Sequence, residues 1–323
     1  VKLIITVNAL ILIAALAAGM VLHVLSGRHF KRDVIFIAPM LNESRFYFSA
    51  DDLDNLRVAF PGYTIVSESR GTADSAAVFY TGDFYFGLHH MDFLHGGQGF
   101  VINEALAWQR FGNTDAVGLF MEVDNRFFQV SGVVRQGRVR ADSANLIWMP
   151  HADAAGSPPV TALYVHVHDY NVLDASVDTR TMIGRHLYRN PVDYAIVDIN
   201  LYTESIAARN RILLCMVWVC ALAAAAAFVY KYFKGKRWVY LGICTGIFLL
   251  LCFFIIVNVN DILLMLNELS VTNTGMLPPE VYLSYGMRRL SELNRYANYA
   301  WIAGSAALFN IVLGGAKWVL KRD

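Results

Sequence analysis

Four long segments almost free of charge constrain this chain more than any other feature. They run from Leu3 to about Leu25 and over about residues 212–230, 238–259 and 299–320, with Lys317 the only ionisable Asp, Glu, Lys or Arg among them. A helix rises ~1.5 Å per residue, so ~20 residues cross a hydrocarbon core of ~30 Å. Strands do not run this long, and a buried soluble helix would carry a polar stripe. Hydrophobic residues make up 56% of the 323 positions and charged ones only 16%. The apolar excess is concentrated in these four segments. Lys2 and the small residues Ala14, Ala15, Ala17 and Ala18 give the first segment some signal-peptide character. Signal cores, however, span only ~7–15 residues, so an anchor helix is expected.

The intervening sequence divides by charge. Residues 27–207 carry 14 Lys+Arg against 21 Asp+Glu, net −7. The remainder carries 13 basic and 5 acidic residues. An acidic surface of that kind excludes nucleic acid as a partner of the large segment. Lys231, Lys234, Lys236 and Arg237 fill the short link between the second and third apolar segments. Lys317, Lys321 and Arg322 mark the C-terminal end. The positive-inside bias puts both in the cytoplasm, together with the N-terminus, and leaves residues 27–207 outside. Arg28, Lys31 and Arg32 run against this bias, but long domains translocate largely regardless of nearby charge. All four cysteines (Cys215, Cys220, Cys244, Cys252) lie in apolar segments, so no disulfide framework holds the outer segment.

The expected fold class is an α-helical membrane protein with four transmembrane helices and an α+β extracytoplasmic domain between helices 1 and 2. Its parts are residues 1–26, 27–207 and 208–323. Within the outer part, Val34–Ile37, Tyr63–Ser67, Ala77–Tyr80, Gly99–Asn103, Leu146–Met149, Ala162–Val167 and Tyr194–Ile199 read as strands. Ser49 caps a helix that runs towards Pro61-Gly62, Glu104–Phe111 is a helix stopped at Gly112, and Ala175–Tyr188 is a third. Val117–Val123 and Arg126–Val134 form a hairpin turning at Asp124-Asn125. Asp261–Leu269 is amphipathic, and residues 280–298 are a helical stretch entering the bilayer.

The run Val101-Ile-Asn-Glu-Ala-Leu-Ala-Trp-Gln-Arg-Phe-Gly112, followed by Asp115-Ala-Val-Gly118 and Phe127-Phe-Gln-Val-Ser-Gly-Val-Val134, resembles the extracytoplasmic core of MacB-like permeases. Leu53–Gly62 and Leu146-Ile-Trp-Met-Pro150 resemble its flanking segments, and the order of helices is similar to that of MacB and FtsX-type permeases. The resemblance implies a bacterial cytoplasmic (inner) membrane protein. It implies a permease subunit paired with a second permease subunit, as homo- or heterodimer, above a cytosolic ABC ATPase. ATP and Mg would then belong to that partner. An extracytoplasmic accessory protein is a further implied partner, and mechanotransmission the implied mode of action. Family members dock on the ATPase through a coupling segment between the second and third membrane helices. Here that position holds only Lys231-Tyr-Phe-Lys-Gly-Lys-Arg237, which suits the degenerate half of a heteromeric permease. The alternative is a non-transporting binding or scaffold module anchored in the membrane.

No Gly-x-x-x-x-Gly-Lys-Ser/Thr loop, zinc-spaced Cys pair or His-Glu-x-x-His occurs, so neither catalysis nor a cofactor is expected of this chain. His89, His90 and His95 cluster near a Gly-Gly turn, and His166 and His168 alternate on a strand. Zinc ligation and a polar edge are the two readings, the second favoured because no carboxylate stands at a ligand spacing. Phe79, Tyr80, Phe84, Tyr85 and Phe86 are either a substrate patch or alternating core. Ala14/Ala18, Ala15/Gly19, Ala223/Ala227 and Ala303/Ala307 are spaced for close helix packing, inside the subunit or across a dimer. Asn8, His23 and Asn310 are expected to hydrogen-bond between membrane helices.

Overall fold

The computed structural model describes residues 2–27, 33–40, 43–73, 76–82, 84–135, 145–153, 158–167, 179–232, 246 and 285–320. The chain divides into two compact units. One comprises Gly27–Asn200 with Leu277–Arg289, the other Val1–Ser26, Leu201–Met276 and Leu290–Asp323.

The first unit is built on a nine-stranded sheet in the order β11-β1-β10-β2-β3-β9-β5-β8-β4. Its strands are β1 (Val34–Pro39), β2 (Tyr63–Ala73), β3 (Ala76–Thr81), β4 (Phe93–Gly96), β5 (Val101–Asn103), β8 (Gly132–Val134), β9 (Leu146–Pro150), β10 (Ala162–Val167) and β11 (Tyr194–Asp198). Most pairs are antiparallel, and β3–β9 and β5–β8 are parallel. β1 and β10 are buried along their whole lengths, as uninterrupted apolar strands inside a covered sheet should be.

Local chemistry sets the connections. Helix α2 (Ala50–Ala59) begins in a capping box: Asp52 N–H donates to Ser49 Oγ at 3.1 Å, and Ser49 N–H donates to Asp52 Oδ2 at 2.8 Å. Helix α3 (Tyr85–Leu88) is a single turn. Helix α4 (Glu104–Phe111) is capped by Asn103 and stops at Gly112, which takes the left-handed conformation at φ 74°. β6 (Phe120–Val123) and β7 (Arg126–Gln129) form a separate hairpin. Asp124 and Asn125 at its turn have φ 48° and 60°, positive at both central positions as a tight two-residue hairpin turn requires. The expected return strand Arg126–Val134 is two strands, because β8 leaves the hairpin to lie between β5 and β4. Gly132 permits this, since a Cβ there would run into the Gly97 backbone and Phe93. Of the expected helix Ala175–Tyr188, residues 175–178 lie outside the described residues, and Met182–His186 form a π-helical turn.

The register puts two apolar clusters on one face of the sheet. Ile35, Ile37, Ile65, Leu163, Val165 and Val167 pack with Leu53 and Leu56 of α2. Val78, Ile102, Val133, Ile147 and Met149 pack with Leu106 and Ala107 of α4 and with Met121 and Val123 of the hairpin. Between them, the residues of β2 that follow Ile65 on this face are Ser67, Ser69 and Gly71. These are too small and polar to fill the gap. The opposite face carries Phe36, Tyr164 and Trp148, each 1% exposed or less.

The second unit contains α1 (Lys2–Gly27) and most of α5 (Ile199–Tyr232) and α6 (Tyr285–Leu320). Two stretches among the described residues are long and apolar enough to cross a membrane: Leu3–Ser26 in α1 and Leu290–Gly314 in α6. The second apolar segment, 212–230, lies within α5, whose side chains are described only to residue 221. The third, 238–259, lies outside the described residues except for residue 246, as do Asp261–Leu269 and the start of 280–298. Over the described residues, the expected helical stretch ending at 298 runs directly into the membrane segment starting at 299. Asn294, Arg295 and Asn298 sit inside one continuous helix whose buried residues Met287, Leu290, Leu293, Asn294 and Ala297 recur at helical spacing.

Candidate functional site

In the helix unit, the closest approaches are made by residues lacking bulk. A Cβ on Gly19 would lie 2.6 Å from Asn210 Oδ1, so α1 and α5 approach closely there and any larger residue would displace the Asn210 side chain. A Cβ on Gly304 would meet Leu213 at 2.6 Å and Ala15 at 3.1 Å, bringing α6 against both other helices. Leu12, Ala15, Leu213, Ala307 and Leu308 form the buried centre. Of the small residues singled out by spacing, Ala15 and Ala307 are thus buried within the subunit and Gly19 is at a helix crossing. Ala303 is exposed, its neighbour Gly304 making the contact instead. The side chains of Ala223 and Ala227 lie outside the described residues. Large apolar residues point away from this centre: Leu3, Ile13, Trp218 and Phe309 are each more than 60% exposed. Bulky apolar side chains face outward while Gly19, Gly304 and Ala15 sit where the helices approach most closely, as a lipid-facing helix surface requires.

Polar groups join the same helices. Asn310 Nδ2 donates to Asn8 Oδ1 at 3.3 Å, linking α6 to α1, and Asn8 Nδ2 also donates to the Ile4 carbonyl at 2.8 Å. Arg209 of α5 is only 3% exposed and donates to Asn294 Oδ1 of α6. Asn294 Nδ2 in turn donates to the Tyr202 hydroxyl at 3.0 Å. Nothing in the sequence pairs Tyr202, Asn294 and Arg209, which lie on two helices far apart along the chain. The available signal was Arg209, set against Ile206, Ala207 and Ala208 on one side and Ile212 and Leu213 on the other. Lys234, Lys236 and Arg237 lie outside the described residues; Lys231 is on the last turns of α5 with its side chain undescribed.

In the outer domain, the Val101–Val134 run builds core. The Asn103 side chain accepts from Leu106 N–H at 3.2 Å, capping α4, and from Leu146 N–H at 3.1 Å, tying β9 to it. Gly118, at φ 88°, donates its N–H to the Val130 carbonyl and accepts from Gln129 Nε2 at 3.1 Å. Arg126 reaches from the hairpin to the Asp153 carbonyl at 2.8 Å.

Among the described residues, the histidines are not brought together as a metal site. His89 and His166 are buried, His90 and His95 exposed, and His168 lies outside the described residues. Among the described residues, no group of three or more His, Cys, Asp or Glu is placed to hold a metal. His89 packs its ring against Tyr85 at 4.2 Å and Tyr164 at 4.7 Å. Both tyrosine hydroxyls donate to the buried Glu68 Oε2, at 2.5 and 3.2 Å. Of the aromatic run, Phe79, Tyr85 and Phe86 are buried, Tyr80 is half-buried, and Phe84 is 66% exposed.

A cleft of about 590 Å³ lies over the gap between the two apolar clusters. Ser67, Thr81, Gly82 and Pro150 border it from the strands, Leu53, Asp54 and Arg57 from α2, and Tyr47, Phe48, His151, Pro158 and Pro159 from the surrounding segments. Burial lowers the pKa of His151, and the positive charge of Arg57 lowers it further, both favouring the neutral imidazole.

Residues 3–179 match the family described as MacB-like periplasmic core domain. That is more than half of the chain, and the protein belongs to this family. Among solved structures, the periplasmic region of MacB from Actinobacillus actinomycetemcomitans is similar at 14% identity and TM-score 0.43, covering 55% of this chain and 94% of that one. The extracellular domain of the noncanonic ABC-type transporter YknZ from Gram-positive bacteria is similar at 13% identity and TM-score 0.41, covering 51% and 99%. No curated protein matches the sequence.

Proposed function

We propose that this chain is a permease-like subunit of a MacB/FtsX-type ABC transporter assembly. In this reading, ATP hydrolysis in a separate cytosolic ABC ATPase moves the helices, and they move the outer domain, for export or mechanotransmission. The chain itself is neither an enzyme nor a cofactor binder; ATP and Mg belong to the partner. A second permease subunit completes the pair, with this chain as its degenerate half, and an extracytoplasmic accessory protein engages the outer domain. The single observation that carries the reading is the family match over residues 3–179, which begins inside the first apolar helix and runs through the outer domain. The contacts that join α1, α5 and α6 support it, because force can be passed on only by helices that move together.

The test is purification from the native host in mild detergent, with mass spectrometry of the proteins that accompany the chain. An ABC ATPase together with a second permease whose coupling segment is intact is the expected result. Recovery without any ATPase, alone or with extracytoplasmic proteins, would overturn it. That outcome would favour the second reading, a non-transporting binding or scaffold module. The observation favouring this second reading is the seven-residue link Lys231–Arg237, too short to offer much docking surface.

A further inference from the structure

The outward face of the β6–β7 hairpin places a carboxylate between two exposed phenylalanine rings. The register pairs Phe120 with Gln129 and Glu122 with Phe127. Side chains alternate along a strand, so Phe120, Glu122, Phe127 and Gln129 share one face. On that face Phe127 stands directly across from Glu122, about 5 Å away at Cβ, and Phe120 stands two residues along the same strand, about 7 Å away. Phe120 is 64% and Phe127 71% exposed. Leu119, 44% exposed, extends the apolar surface at the start of β6.

The inner face holds this surface in place. Met121 and Val123 are buried in the core, and the Phe128 ring stacks on Phe100 at 5.1 Å. Arg126, the one base within Phe120–Gln129, is committed to that inner side. Its guanidinium lies 5.2 Å from the centre of the Phe128 ring and donates to the Asp153 carbonyl at 2.8 Å. Among the described residues, neither Glu122 nor Asp124 at the turn has an ion-pair partner. A surface already ordered avoids the entropic cost of arranging it on binding.

These residues select their occupant. A partner that covers both rings must also cover Glu122, and burying a carboxylate without a counter-charge is strongly unfavourable. An anion is repelled by Glu122 and by an outer segment of net charge −7. A cation meets the carboxylate and the faces of the rings together. Guanidinium suits this best, because it is planar, stacks on aromatic rings and pairs with a carboxylate through two parallel N–H groups. We propose that the outward face of the hairpin is a docking surface for an arginine-bearing segment of an extracytoplasmic protein, with the guanidinium on Glu122 between Phe120 and Phe127. This deepens the reading above, whose accessory protein it gives a docking surface, and rests on it for that partner.

The experiment uses the full chain in lipid nanodiscs, without any ATPase, so its failure is distinct from a failure to recover one. The probe is the peptide acetyl-Ala-photoleucine-Arg-photoleucine-Ala-amide at millimolar concentration, beside the same peptide with citrulline, the uncharged isostere of arginine. After illumination, mass spectrometry reads labelling of residues 117–131 relative to the rest of the outer domain. The arginine peptide is expected to label the hairpin at least about threefold more than the citrulline peptide. Glu122→Gln should bring the two to parity, and Phe127→Leu, which keeps bulk and removes the ring, should lower the preference about twofold. Both side chains are exposed, and unchanged hydrogen exchange at Met121 and Val123 would show the hairpin intact. Equal labelling by the two peptides would mean that the surface takes an apolar partner and would overturn the proposal. So would a preference that survives Glu122→Gln, which would trace the attraction to the general acidity of the domain, or one unchanged by Phe127→Leu.

Discussion

In the outer domain, large side chains make the core: Trp148, Tyr164, Tyr85 and Phe36 are each 1% exposed or less. In the helix unit, the tightest contacts belong to Gly19, Gly304 and Ala15, while Leu3, Ile13 and Phe309 point outwards. The difference follows from the solvent. In water, burial of apolar area drives packing at about 25 cal/mol per Å², so the bulkiest residues go inside. Among lipid tails that drive is missing, and helices associate by close backbone approach and interhelical hydrogen bonds. One chain thus packs its two regions differently: bulk fills the core of the sheet, whereas small residues set the closest helix crossings and Leu12, Leu213 and Leu308 fill the space between them.

The largest expected effect is in the outer domain. Trp148→Ala removes a fully buried ring that stacks on Phe79 at 6.0 Å, and should cost about 3–5 kcal/mol. Hydrogen exchange on the full chain would report it as lost protection across the sheet, with α1 and α6 little changed. If exchange in the helices rose equally, the two regions would not be separate cooperative units. In the helix unit, Asn294→Leu leaves both Arg209 and Tyr202 short of a buried bond and should cost about 1–3 kcal/mol. Gly304→Val should cost about 1–3 kcal/mol through overpacking against Leu213 and Ala15. Thermal unfolding in detergent checks both. If Gly304→Val were neutral while Leu213→Ala, which creates a cavity, were severe, the helix unit would follow the water-soluble rule after all.

Much of the fold was legible because its signals are local. Glu104–Phe111 with its Gly112 stop agrees residue for residue, since Asn103 and Gly112 are the two cap chemistries that delimit a helix. The hairpin turn at Asp124-Asn125 and the strand at Ala162–Val167 were equally plain. Features that depend on distant partners were not. Nothing local says that β8 leaves its hairpin for the main sheet, because the cause is the close approach of Gly97, far along the chain, to Gly132. Arg209 is likewise buried against a distant partner: Asn294, 85 residues away, accepts a hydrogen bond from it. The cleft could have been suspected from the change in β2 from Ile65-Val66 to Ser67, Ser69 and Gly71. That change means a gap only once α2 and α4 are known to cover the strands on either side.

Smaller effects probe the edge of the outer domain, where water competes with the fold. Ser49→Ala removes the acceptor for Asp52 N–H and should cost about 1 kcal/mol, read as faster exchange in the first turn of α2. The smallest effect concerns pH. His151 is a base whose folded pKa lies below its ordinary value of 6.5, first because burial disfavours the cation and second because Arg57 repels it. As pH falls through 6.5, the unfolded chain takes up a proton at this position while the folded chain does not, and stability declines. The decline ends below the folded pKa, where both states are protonated. Unfolding of the outer domain should therefore become easier between about pH 6.5 and the acid side of the depressed value. His151→Gln should remove that part of the slope, and Arg57→Gln should reduce it. A slope unchanged by His151→Gln would place the titrating group elsewhere.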